Sequence, residues 1–216
     1  MNNKLTILII ALFFFGCRGP VKEENKNNEL SSSLSLSIGN EKYLIDTKES
    51  VVTWKGAMLI GSNSHTGYVY ISKGELVIEN GQLMGGKAEV DMNTIEDEKH
   101  ASDNGLINHL KDPDFFDVKK FPISTIVLTK VAQIDNNNKK VTGNLTIKGI
   151  THPVTFPAKI EVKDGILKMN SKLVIDRTKW GIRYKSGKFY DLLADQTMSD
   201  SIKFHIKIIA KKHLNP

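Results

Sequence analysis

The sequence predicts an all-β protein: an antiparallel sheet of about eight strands that closes into a barrel, with one or two short helices. Three observations carry this. From Tyr43 onward, apolar and polar residues alternate with a period of two, the signature of strands with one buried and one wet face. Tight-turn pairs, Asn80–Gly81 and Asp164–Gly165, separate alternating runs and mark hairpins. Only the segment 94–111 breaks the alternation. A single antiparallel sheet this long tends to curl, and closure removes its edge strands. Periodicity alone does not separate a barrel from a two-sheet sandwich.

The chain opens with Lys4 and a mostly apolar run from Leu5 to Phe15, followed by Gly16 and Cys17. Eleven residues are too few for a bilayer span, which takes about 20, but suit the core of a signal peptide. Cys17 is the only cysteine, so no internal disulfide forms. A charged, apolar, small-residue pattern ending in Cys resembles a bacterial lipobox, with Phe14 where Leu is usual. It implies a signal peptide over 1–17 and lipidation at Cys17. Lys22–Glu24 resembles the surface-export signal of Bacteroidetes lipoproteins.

Residues 18–41 read as a polar tether, rich in Asn, Ser and Glu, with too little apolar surface to offset ordering entropy. As a coil it would reach about 25–30 Å. The folded domain is then expected over 42–213.

Within it, "GELVIEN" puts Leu76 and Ile78 on one face, and "QLMGGKAEVDM" does the same for Met84, Ala88, Val90 and Met92. Gly85 and Gly86 are expected to leave room inside. Later runs point Val141, Leu145 and Ile147 inward; then Val154, Phe156, Ala158, Ile160 and Val162; then Leu167, Met169, Leu173 and Ile175; finally Ile202, Phe204, Ile206 and Ile208. In the interruption, Leu106, Ile107 and Leu110 share helical spacing, which predicts a short helix over roughly 101–110.

The stretch "HLKDPDFFDVKKFP", His109–Pro122, sets three aspartates around two phenylalanines. It fails a calcium-loop template because Phe116 stands where glycine is needed, and His109 with one Asp is too little for zinc. It reads instead as a turn built by Asp and Pro, anchored by Phe115 and Phe116.

Several ordered segments carry a resemblance. "HLKDPDFFDVKKFPIST", "SNSHTGYVYISKGEL", "VTGNLTIKGITHPVTFPAKI", "IDRTKWGIRY" and "DSIKFHIKIIAKK" together resemble the YceI-like family of lipid- or polyisoprenoid-binding proteins, with Trp180 where Phe is usual. The match spans about 43–212 and is weakest over 93–105. The resemblance implies an extended, lipocalin-like eight-stranded barrel with a long apolar channel for a polyisoprenoid or similar long-chain lipid. Met84, Val90, Leu145, Phe156, Ala158, Ile160, Met169, Trp180 and Phe204 are then the expected lining. His65 and Arg177, at motif positions, either contact a head group or serve structure, with Arg177 pairing Asp176 or Asp117. Trp180 and Tyr184 either line the channel or belong to the core.

The net charge of +6 is spread along the chain, without the clustered lysines and aromatics of a nucleic-acid site, though it permits weak attraction to anionic lipid. There is no GxSxG motif and no Ser/His/Asp order. The expectation is therefore a non-enzymatic binding protein of the bacterial cell envelope, lipid-anchored, with no cofactor or metal. A ligand-free interaction module with a filled barrel is the alternative.

Overall fold

The computed structural model describes residues 40–214. The expected signal segment, Cys17 and nearly all of the tether lie outside the described residues. Nine strands occupy eight positions of a closed antiparallel barrel. They are β1 (Asn40–Ile45), β2 (Val51–Ala57), β3 (Ser64–Glu79), β4 (Gln82–Asp97), β5 (Ile123–Gln133), β6 (Asn138–Ile147), β7 (Ile150–Lys163), β8 (Ile166–Asp176) and β9 (Ser201–Lys212). The strands β4 to β9 form a meander. β9 pairs with both β1 and β2, these pair with β3, and the β3–β4 hairpin closes the ring.

β1 and β2 are one broken strand. Both run antiparallel to β3 and β9, β1 against Glu75–Glu79 and β2 against Ser64–Val69. The break is an Asx turn: Asp46 Oδ1 accepts from the Lys48 and Glu49 amides at 3.0 and 3.2 Å. β1 begins at Asn40, inside the stretch expected to be tether.

Three hairpins close on two-residue turns with positive φ at both positions: Asn80–Gly81, Lys148–Gly149 and Asp164–Gly165. That backbone matches the right-handed twist of the flanking strands and favours glycine second.

The barrel has two unlike ends. The hairpin end carries the turns at 80–81, 134–137 and 164–165. The other end carries the loops 58–63, 98–122 and 177–200 and α1 (Gly105–Lys111), the single α-helix among the described residues. α1 starts four residues after the predicted 101, at an Asn104 cap whose Oδ1 accepts from the Ile107 amide at 2.9 Å. Asp97 delays it by taking the Lys99 and Ala101 amides and Asn104 Nδ2 on its carboxylate. Seven residues are too few for a stable isolated helix. Burial of Ile107 and Leu110 against the barrel stabilises it, at about 1.5–3 kcal/mol per side chain. Asp112 and Pro113 then turn the chain: the Asp112 carbonyl accepts from the Phe115 and Asp117 amides. Phe115 is buried and Phe116 half-buried, while Asp112 and Asp114 point to solvent.

Candidate functional site

The interior is hollow at one end and solid at the other. A cavity of about 280 Å³ runs from the helical end to past the middle of the barrel, as far as Ile45, Leu76, Ala88, Met169 and Ile208. Its walls are the inward side chains of Val52, Trp54, Val69, Ile71, Val90, Met92, Ile126, Leu145, Leu173, Ile202, Phe204 and Ile206. α1 and its following turn supply a roof of Leu106, His109, Leu110, Phe115 and Phe116. Near Phe156, Met169 and Ile208 the cavity stops. Beyond them Ile78, Leu83, Val141, Leu167 and Ala210 are buried to 2 % exposure or less, and none of them lines the cavity. Gly56, Ala57, Met58, His65 and Met198 carry the lining to the surface beside the 58–63 loop, where His65 is exposed.

Two buried ring nitrogens of lining residues have no protein partner. Trp54 Nε1 and His109 Nε2 are buried and make no hydrogen bond. Trp54 sits on β2 directly opposite Gly67 of β3. His109 is packed edge-on against Phe115 and Tyr184, with ring centroids 5.3 and 4.4 Å away. A buried N–H without an acceptor costs about 1–3 kcal/mol, so Trp54 Nε1 favours an acceptor oxygen placed in the cavity, while His109 Nε2 donates or accepts according to its tautomer.

Charges along the lining are already spent. Arg177 is 1 % exposed. Its Nε donates to the Ser199 carbonyl at 3.0 Å, Nη1 to the Ile182 carbonyl at 2.9 Å and Nη2 to the Met198 carbonyl at 3.4 Å. Nη2 also lies 3.4 Å from Asp200 Oδ1. Burial lowers the Arg177 pKa, opposed by Asp200 and Asp176. Lys87 is tied to Glu75 at 3.3 Å. The site therefore combines an apolar wall with two free ring nitrogens and no free cation among the described residues.

Arg177 and Asp176 fasten the base of the 177–200 loop. Asp176 caps the 3-10 turn Arg177–Trp180 by accepting from the Thr178 amide at 3.0 Å, and its other oxygen meets Lys188 Nζ at 2.6 Å. Burial pushes its pKa up, but the hydrogen bonds from Lys188 and Thr178 outweigh that and bring it down to about 2.

Of the nine residues expected to line a channel, Val90, Leu145, Phe156, Met169 and Phe204 lie on the cavity wall, as do His65 and Arg177. Four do not, each for a definable reason. Met84 is half exposed because it is the extra residue of a bulge: Val77 pairs with Gly85 and Ile78 with Leu83, skipping Met84. The alternation slips by one there, and Leu83 takes the inward place. Ala158 and Ile160 face inward but in the solid half. Trp180 belongs to the core between its turn and β6, where its Nε1 donates to the Leu145 carbonyl at 3.2 Å. Gly86 leaves no void either, since a Cβ there would lie 2.6 Å from Leu76 Cδ2. Arg177 pairs with Asp200, not with Asp176 or Asp117. Trp54, Met58, Leu106 and Met198 were not anticipated. The alternation of Val52 and Trp54 in "VVTWKG" is the signal that would have found Trp54.

A family model described as "YceI-like domain" matches residues 43–210. A UPF0312 protein of Shewanella denitrificans is 33% identical over 138 residues, 60% of this chain and 68% of its own length. One from Vibrio parahaemolyticus is 30% identical over 138 residues, 60% and 69%. Burkholderia cenocepacia BcnA matches the fold with TM-score 0.60 at 19% identity, over 77% of this chain and 99% of its own. A polyisoprenoid binding domain from Saccharophagus degradans, implicated in plant cell wall breakdown, matches with TM-score 0.58 at 9% identity, over 79% and 98%.

Proposed function

The chain belongs to the YceI-like domain family, and from that premise we propose that it is an exported, membrane-anchored protein that sequesters or carries a long-chain amphipathic lipid of the polyisoprenoid kind. The observation that carries this reading is the half-hollow barrel: an apolar cavity closed below by packed side chains and reaching the surface at one end. Such a space binds hydrocarbon without further machinery, since each buried methylene contributes about 0.8 kcal/mol. The polyisoprenoid-binding neighbour of the same fold supports the choice of ligand.

The geometry sets terms for that ligand. A dry cavity of about 150 Å³ accepts benzene; by that scale roughly a dozen carbons fit in the space here. A longer chain would bury its leading units and extend the rest through the mouth. Trp54 Nε1 offers a donor and His109 Nε2 a donor or acceptor according to its tautomer, a pair that an uncharged hydroxyl satisfies in either case. With Arg177 committed to three carbonyls and Asp200, a buried phosphate would meet no free cation, and an unpaired buried charge is costly. Anchoring would come from Cys17.

The test is extraction of the protein from its own cells, followed by lipid mass spectrometry. The expected result is one long-chain lipid per protein, present in Cys17→Ser protein as well. Repeated recovery of lipid-free protein under every growth condition contradicts the carrier reading and leaves the ligand-free interaction module.

A further inference from the structure

Five large apolar side chains of two loops at the helical end stand in solvent. Leu59 and Ile60 belong to the 58–63 loop, and Phe189, Tyr190 and Leu193 to the 181–200 loop; Ile60 is 61 % and Leu193 69 % exposed. These loops are fastened together. Met58 and Met198 form a β-bridge, the Leu59 amide donates to the Thr197 carbonyl at 2.8 Å, and the Met198 amide to the Lys185 carbonyl at 2.8 Å. Ser186 and Thr197 are buried beneath and brace the longer loop. The exposed side chains therefore share one built rim. Met58 and Met198 both line the cavity, so the rim is continuous with the cavity wall.

The charges beside the rim are mostly positive. Arg183 lies over the Phe189 ring at 4.6 Å and Lys185 over Tyr184 at 5.7 Å. Lys55 and Lys203 are cross-strand partners on the adjoining outer wall. None of these four is in an ion pair among the described residues. The loop's own acids are Asp191 and Asp195, both exposed, while Asp176 and Asp200 are held by Lys188. Aliphatic and aromatic side chains flanked by Arg and Lys are the composition of a surface that sits at the head-group level of a bilayer. Such a patch on a soluble face also marks an interaction site.

We infer that this rim docks onto the surface of an anionic lipid bilayer, which sets the cavity mouth against the acyl layer. A hydrocarbon ligand would then enter or leave without crossing water, which opposes transfer methylene by methylene. The anionic leaflet supplies the attraction to Arg183, Lys185, Lys55 and Lys203, which salt screens. The chain enters the barrel at the opposite end, where Asn40 pairs with Glu79 beside the 80–81 turn. The purpose of docking rests on the carrier reading; the docking itself does not.

The experiment uses the full chain carrying Cys17→Ser, with one cysteine introduced for an environment-sensitive fluorophore. Leu193→Cys reports the rim and Ile134→Cys the exposed opposite end. The apolar run 5–15 can itself enter a bilayer, so the comparison of the two probes is what reads the rim. Phosphatidylcholine vesicles with and without phosphatidylglycerol are added in the absence of any ligand. The expected result is a several-fold emission rise with a blue shift at 193. It requires phosphatidylglycerol, falls with salt, disappears in Leu59→Ser/Ile60→Ser, and is absent at 134. A silent 193 probe, or equal responses at both positions, overturns the inference. So does a 193 shift that grows with protein concentration without vesicles, which would assign the rim to a second copy of the chain. Vesicle docking by protein that never yields lipid would instead refute the carrier reading alone.

Discussion

The indole of Trp54 lies against the bare backbone of Gly67, its cross-strand partner. A Cβ on Gly67 would come within 2.5 Å of Trp54 Cζ2 and would overlap the Glu96 carbonyl oxygen. The glycine of the His65–Thr66–Gly67 motif is thereby explained: it admits the largest side chain of the cavity wall. Gly67→Ala is expected to destabilise the barrel by about 1–3 kcal/mol, as overpacking does, because one obstacle is backbone and cannot rotate away. Urea unfolding of the two proteins measures it, and an unchanged midpoint would mean that both the indole and the Glu96 backbone give way freely.

Trp54→Phe separates the ring from its N–H. The unpartnered nitrogen adds no hydrogen bond to the empty barrel, and its removal relieves a burial cost, so unfolding stability should fall by much less than for a Trp-to-Ala truncation. Binding of geranylgeraniol should weaken by roughly 2- to 12-fold, the worth of one net hydrogen bond. Binding of a hydrocarbon of the same length should scarcely change. Equal losses for both compounds in competitive titrations would show that Trp54 supplies surface only.

Arg177→Met removes the group that gathers the Ile182, Met198 and Ser199 carbonyls and leaves Asp200 with Lys188 alone. Loss of one member of a fully buried charged pair costs about 3–5 kcal/mol, and the surviving Lys188 contact keeps the loss below that. Hydrogen exchange should rise most in 182–200, with β6 and β7 little affected. Uniform acceleration throughout the barrel would contradict the local role given to this residue.

Asp176 provides a pH-dependent contact. Its pKa in the folded protein is lowered to about 2, so it binds a proton less readily there than in the unfolded chain. Its contribution to stability is complete above the unfolded value, about 3.9, and is lost as pH falls from there through about 2. Asp176→Asn should therefore melt below the parent at neutral pH, with the gap narrowing across that acid window. A gap that stays constant down to pH 2 would place the effect in the 3-10 cap geometry rather than in the charge.

The sheet was legible because most strands keep strict alternation: from Val154 to Val162 and from Leu167 to Ile175 every second residue faces inward. Reading failed where the register slips. Gly85 and Gly86 read as room inside the barrel, but the bulge that turns Met84 outward depends on how Val77 and Ile78 meet β4, a non-local fact. Likewise the helix start yielded to Asp97, a carboxylate seven residues before Asn104. The site was half legible. Alternation says which residues face in, not which level of the barrel they occupy. Phe156 reaches the cavity, while Ala158, one step along the same inward row, lies in the packed half. The free nitrogens of Trp54 and His109 are visible only once every neighbouring carbonyl has been assigned.

The division of the barrel into a hollow and a solid half is tested most directly by filling each with a phenyl ring. Val90→Phe enters the cavity and Ala158→Phe the packed half. The measurement is paired: melting temperature, and moles of lipid retained per mole of protein. The expected result is that Val90→Phe loses most of its lipid with little change in melting, whereas Ala158→Phe melts lower, by the roughly 1–3 kcal/mol of an overpacked core, and keeps its lipid. The reverse pattern, with Ala158→Phe stable and emptied and Val90→Phe destabilised and loaded, would contradict the account.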